Sequence, residues 1–134
     1  MKYVSGTSMI KNILKIAVAI LVAFTSTVAL AQHNHLEKEY QQLWCSQNQG
    51  ELEVVLADGA RVDCVTDTYA IEFDFASKWA ESIGQSLYYS EITGKSPGIV
   101  LILEQPDKEK RYMNRLEMVA KKFGIKTWYM FSLD

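Results

Sequence analysis

The chain has 134 residues, of which 14 are Lys or Arg and 16 are Asp or Glu. All 16 acidic residues but only 11 of the basic ones lie beyond residue 31, which gives residues 32–134 a formal charge of −5. That balance excludes a non-specific polyanion binder, since contact with nucleic acid then needs a local basic face or bridging metal ions, and the 103 residues of this part hold one small domain with a single core.

Residues 1–31 read as a signal peptide. Lys11 and Lys15 form a positive flank, Ile16 to Val28 is an almost unbroken apolar run, and Ala29-Leu30-Ala31 supplies the small-x-small pattern cut by signal peptidase. Cleavage before Gln32 gives a periplasmic or secreted domain, residues 32–134, with no stable membrane association. The alternative is an uncleaved anchor, because the run with its flanks nearly reaches the ~20 residues of a membrane span; Thr25, Ser26 and Thr27 interrupt it. Met9 is an alternative start to Met1, as Met9-Ile10-Lys11 opens a more usual signal peptide. His33 and His35 then fall at the mature N-terminus, where a frayed tail is expected.

The first predicted helix runs from Leu36 to Trp44, with Leu36, Tyr40, Leu43 and Trp44 on one side. Cys45 and Cys64 are the only cysteines, and in an oxidising compartment a disulfide between them is expected. A metal pair is the weaker alternative, because no further Cys or suitably spaced His completes a zinc set. Glu51 to Leu56 alternates and is followed by Asp58-Gly59, so Ala60 to Val65 forms the second arm of a hairpin. Tyr69 to Phe75 is a third strand. Ser77 is the expected N-cap of a helix that reaches about Thr93 and ends at Gly94. Gly98 to Leu103, continuously apolar, predicts a strand covered on both faces. Asp107 is the expected cap of a second long helix to about Phe123, buried through Tyr112, Leu116, Val119 and Phe123, and Lys126 to Phe131 is the last strand. The fold class is α/β, a mixed sheet in the order α-β-β-β-α-β-α-β.

The chemistry-bearing residues lie in the middle of the chain. Asp63 and Glu72 sit in apolar runs, where an ionised carboxylate is costly to bury unless something pairs with it or binds it. Alternation in the third strand sends Ile71, Phe73 and Phe75 one way and Glu72 and Asp74 the other. Asp63 is expected on the face opposite Val62 and Cys64, and a register that brings it beside Glu72 makes Asp63, Glu72 and Asp74 an oxygen-donor cradle for Mg²⁺ or Mn²⁺. At ~100° per residue Lys78, Gln85 and Tyr89 fall within about 40° of each other on the next helix, apart from the apolar stripe Trp79, Ile83 and Leu87. The alternative is a solvated polar face.

With an acid on the second strand, an apolar-acid-x-x strand and Gln-x-x-x-Tyr on the following helix, residues Leu36 to about Leu103 resemble the PD-(D/E)XK nuclease superfamily. The helix motif is similar to that of its RecB-like exonuclease branch. The resemblance implies a restriction-endonuclease-like fold and Mg²⁺-dependent phosphodiester hydrolysis of DNA or RNA. In that reading Asp63 and Glu72 are the metal-holding acids, Gln85 and Tyr89 position the substrate, and Glu39 stands for the acid that some members carry on the first helix. One departure is plain: Asp74 occupies the place of the strand lysine. Some members carry that lysine on the neighbouring helix, which makes Lys78 the candidate catalytic residue beside Asp63 and Glu72. Lys108, Lys110, Arg111, Arg115, Lys121 and Lys122 would offer a phosphate-facing surface, against the plainer reading of a solvated helix face. Loss of the strand lysine also suits the alternative, an inactive nuclease-fold domain that binds a protein partner or nucleic acid.

Overall fold

The computed structural model describes residues 33–134, an α/β arrangement with a five-stranded mixed sheet and three helices. The signal peptide expected over residues 1–31 lies outside the described residues. In chain order the elements are α1 (Glu37–Gln47), β1 (Glu51–Val55), β2 (Arg61–Val65), β3 (Tyr69–Phe75), a 3-10 turn (Ala76–Lys78), α2 (Trp79–Thr93), β4 (Ser96–Leu103), α3 (Pro106–Phe123) and β5 (Lys126–Phe131).

The strands lie side by side in sequence order. β1, β2 and β3 are antiparallel neighbours, because the β1–β2 and β2–β3 links are short turns, whereas β3, β4 and β5 run parallel and need α2 and α3 as crossovers. The two crossovers put α2 and α3 on one face, over Ile99, Leu101 and Leu103; α1 covers the other, where Trp44 and Cys45 pack with Ile71, Phe73 and Val100. β4 is therefore apolar on both sides, and Ile99 to Leu103 are almost fully buried. α2 and α3 each stop at a glycine, Gly94 and Gly124, both at φ 68°, the left-handed conformation that ends a helix at least cost. Among the described residues no helix is long and apolar enough to cross a membrane.

Several local expectations are corrected. On α1 the inward residues are Tyr40, Gln41, Trp44 and Cys45, while Leu36 and Leu43 are exposed. The helix rotates so that the Cys45 thiol faces the sheet, and the disulfide to Cys64 is present. Ser77 does not cap α2: the chain first makes the 3-10 turn, and Lys78 precedes the first α-helical residue. Asp107 does not cap α3 either, since Pro106 occupies the first turn and Glu109 accepts the Gln105 N–H at 2.8 Å. Phe123 on α3 is exposed, and Ala120 takes the buried position.

His33 to His35 are not a frayed tail. The Glu104 carboxylate accepts hydrogen bonds from the Asn34 and His35 backbone N–H groups and from the Tyr40 hydroxyl, and contacts His33 Nδ1 at 2.9 Å. The His33 ring stacks on Phe75 at 3.4 Å between centroids, and His35 contacts Asp134 at 3.0 Å. Burial pushes Glu104 up, but these hydrogen bonds outweigh it and hold the carboxyl below its ordinary range. The hydrogen bond to Asp134 raises His35.

The disulfide also fixes the residue at Gly50. A Cβ there would lie 2.4 Å from Cys64 Sγ and 2.6 Å from Cys45 Sγ. Gly50→Ala is expected to cost about 1–3 kcal/mol by overpacking, read as a lower urea midpoint; an unchanged midpoint would show that the bridge shifts freely.

Candidate functional site

The acid cluster forms where β2 parts from β3. Only Cys64–Ile71 and Val65–Ala70 pair in that ladder, so Phe73 has no backbone partner from β2 and its N–H donates instead to Asp63 Oδ2 at 2.8 Å. Val62 and Cys64, expected on one face, are turned to opposite sides: Val62 packs with Ala70 and Tyr89, Cys64 with Trp44 and Ile71. The chain rolls over at Asp63. Across the hairpin, the pairs Leu52–Cys64 and Val54–Val62 set Glu53 opposite Asp63, and Glu53 has φ 53°, a left-handed conformation that marks the same irregularity on β1.

β3 brings Glu72 and Asp74 to the α2 side, as its alternation requires, and both are buried, with 5% and 4% of their surfaces exposed. Asp63 and Glu72 face each other closely enough for each to shift the other's titration. Burial, followed by the charges of Asp63 and Asp74, pushes Glu72 up to about 10. Burial also raises Asp63, against the Phe73 N–H that favours its charged form. Asp74 is pushed up to about 7 by burial and by Glu37, with Lys78 opposing. Lys78 Nζ lies 3.9 Å from Asp74 Oδ1, with its side chain more than half exposed.

A fourth carboxylate comes from α1. Glu37, not Glu39, turns toward Asp63 and Asp74, accepts from Gln41 Nε2 at 3.1 Å, and is itself raised by burial and by the Asp63 charge. Glu39 instead accepts the Leu36 N–H at 2.6 Å and closes the start of its own helix. The signal for Glu37 was the Glu37-x-x-x-Gln41 pair, polar residues one turn apart beside Tyr40 and Trp44. On α2, Tyr89 is buried and raised by burial and by the Glu72 charge, while the Gln85 amide beside it opposes that shift. Gln85 and Tyr89 thus lie next to the acids. Lys78 stands in the preceding 3-10 turn rather than in a single α-helical row with them.

The expected cradle of Asp63, Glu72 and Asp74 is not assembled. Among the described residues no three His, Cys, Asp or Glu side chains are grouped as for a metal ion. The reason is electrostatic: like charges at low hydration are relieved either by protonation, toward which burial and the neighbouring acids push Glu72, or by turning to a cation, as Asp74 turns to Lys78. One atom remains unanswered. Glu72 Oε2 is buried and has no hydrogen-bond partner, a deficit ordinarily filled by water or an ion. The acids whose charges act on it, Asp63, Asp74 and Glu37, offer oxygen donors only.

The basic residues of α3 are exposed along the helix, with Lys108 donating to Gln105 Oε1 and Arg111 to the Tyr112 hydroxyl, each at 2.8 Å, and Arg111 and Arg115 in cation–π contact with Tyr112. No protein-family model, curated protein or solved structure matches this chain.

Proposed function

We propose that residues 32–134 form an exported PD-(D/E)XK-like domain of restriction-endonuclease-like topology that hydrolyses phosphodiester bonds of DNA or RNA with Mg²⁺ or Mn²⁺. The observation that carries this reading is Glu72 Oε2, buried without a partner, with the charges of Asp63, Asp74 and Glu37 acting on its carboxyl and Gln85 and Tyr89 alongside. Asp63 and Glu72, with Asp74 or Glu37, would hold the cation. When bound, such an ion polarises a phosphoryl oxygen and lowers the pKa of water.

The chain's own groups have separate tasks. The Phe73 N–H fixes the Asp63 carboxylate. Lys78, held by Asp74, places a positive charge at the exposed edge of the acids, where it favours an anionic phosphate. The Tyr89 hydroxyl and the Gln85 amide offer hydrogen bonds to the substrate strand. A second reading, a cation-binding accessory domain without catalysis, is favoured by one specific feature: Lys78 is neutralised by the very residue that stands in the lysine's place.

The mature, disulfide-intact protein would be incubated with linear DNA, RNA and single strands in Mg²⁺ or Mn²⁺, beside Glu72→Ala and Lys78→Ala. Cation-dependent cutting by the parent, lost in Glu72→Ala and reduced at least tenfold in Lys78→Ala, is the expected result. Equal or absent cutting in all three sinks the enzyme. Heat on titration with Mn²⁺, absent in Glu72→Ala and unaccompanied by cutting, assigns the accessory domain.

A further inference from the structure

A second cleft opens on the α1 face of the sheet and shares no residue with the acid cluster. It encloses about 280 Å³. Its floor is aromatic: Trp44 from α1, Tyr69 from the start of β3 and Trp128 from β5, with the Trp44 and Tyr69 ring centroids each 5.1 Å from that of Trp128. Its rim is polar, with Asn48 and Gln49 on one side and Thr66, Asp67 and Thr68 on the other.

The walls are built rather than incidental. Gln49 holds φ 56°, left-handed at the end of a helix, where a glycine or asparagine would be the cheaper residue. The Cys45–Cys64 disulfide ties the end of α1, which carries Asn48 and Gln49, to the end of β2, which leads into Thr66. Gly98 lacks the Cβ that would lie 2.9 Å from the Trp128 ring, so the indole can lie across the neighbouring strand.

The lining decides the class of ligand. It contains no Lys, Arg or His and one carboxylate, Asp67; the ammonium groups at its edge are engaged elsewhere, Lys95 Nζ with the Asp67 carbonyl at 2.9 Å and Lys126 Nζ over the Trp128 ring at 5.8 Å, so the lining itself offers a phosphate or carboxylate ligand no direct partner. Indole and phenol rings take an apolar C–H surface, while amides, hydroxyls and a carboxylate supply both donors and acceptors for a ligand rich in hydroxyl groups. The volume falls at the small end of the ~300–1,000 Å³ typical of ligand pockets. We infer that this cleft binds a neutral saccharide of one or two pyranose rings, stacked on the half-buried rings of Trp128 and Tyr69, above the buried Trp44, and hydrogen-bonded by Gln49 and Asp67.

The test follows the indole N–H resonances of the oxidised, mature protein by ¹H–¹⁵N NMR during titration with cellobiose, maltose and diacetylchitobiose, with adenosine monophosphate as the counter-probe. At least one disaccharide is expected to shift Trp44 and Trp128 saturably and to leave Trp79, on the other face, unmoved. Asp67→Ala and Gln49→Ala, both at exposed positions, should each weaken that binding roughly tenfold, the effect of losing a hydrogen bond to a polar or charged group. Glu72→Gln should bind as the parent does, which separates this cleft from the acid cluster. The inference is overturned if none of the three sugars gives a saturable shift, if adenosine monophosphate alone does, or if both rim variants bind unchanged.

Discussion

Glu72→Gln is expected to stabilise the protein at pH 8 while removing the cation-dependent activity proposed above. Burial and then the neighbouring acids push Glu72 up to about 10 in the folded chain, whereas the unfolded side chain titrates at about 4.3. Between those values the folded state keeps a proton that the unfolded state has released. Stability is therefore present in full below the unfolded pKa and declines as pH rises, by about 1.4 kcal/mol per pH unit for one retained proton. Asp74, pushed up to about 7, adds its own decline below neutrality. The wild type should thus lose urea resistance from pH 5 to pH 8. Glutamine is neutral at every pH, and its amide can donate to Asp63 as a protonated Glu72 would. The variant should show a flatter profile and gain about 1–3 kcal/mol at pH 8.

The same substitution separates stability from function. A cation that displaces the proton would stabilise the wild type at pH 8 and leave the glutamine variant unmoved. Activity should fall more than about 100-fold, since even changes in groups that only support metal ligands cost 10–100-fold. Parallel pH profiles for parent and variant would dispose of the retained-proton account.

Removing the disulfide is the second large effect. Cys45 and Cys64 are 19 residues apart, and a loop of that length corresponds to about 3 kcal/mol of lost chain entropy in the unfolded state. Small domains have only ~5–15 kcal/mol to lose. Cys45→Ala with Cys64→Ala should lower the urea midpoint accordingly. Because the bridge also joins the two rims of the aromatic cleft, saccharide binding should weaken in the same variant. Equal midpoints for the oxidised and reduced protein would refute the entropic argument. A disulfide of this weight is compatible with an oxidising compartment outside the cytoplasm.

Elements with a strong local pattern were readable in the chain. β3 shows its alternation because one side faces α1 and the other faces the acids and α2, and β4 shows a continuous apolar run because helices cover both of its faces. The closing glycines of α2 and α3 were legible for the same local reason, a conformation that few other residues adopt cheaply. Helix starts were less so. Ser77 and Asp107 are good caps by type, yet a 3-10 turn and Pro106 determine where α2 and α3 begin.

The site divides in the same way. Glu72 and Asp74 share a face by strand periodicity alone, and Gln85 lies beside Tyr89 by helical periodicity. Asp63 could be named but not placed, because its position depends on β2 rolling over where its ladder with β3 ends, an event with no period in the sequence. Glu37 was hidden behind Glu39: the choice between them rests on how α1 rotates to bring Cys45 to Cys64. His33 and His35 looked free because their partners, Glu104 and Asp134, lie 71 and 99 residues away.

By itself, then, the sequence determined the elements, the disulfide and which acids would be costly to bury, since each depends on neighbours within a few residues. Only the tertiary structure decided which carboxylates meet, which of them burial pushes toward protonation, and that Trp44, Tyr69 and Trp128 line one cleft. Those are contacts between distant segments, set by packing and electrostatics rather than by periodicity.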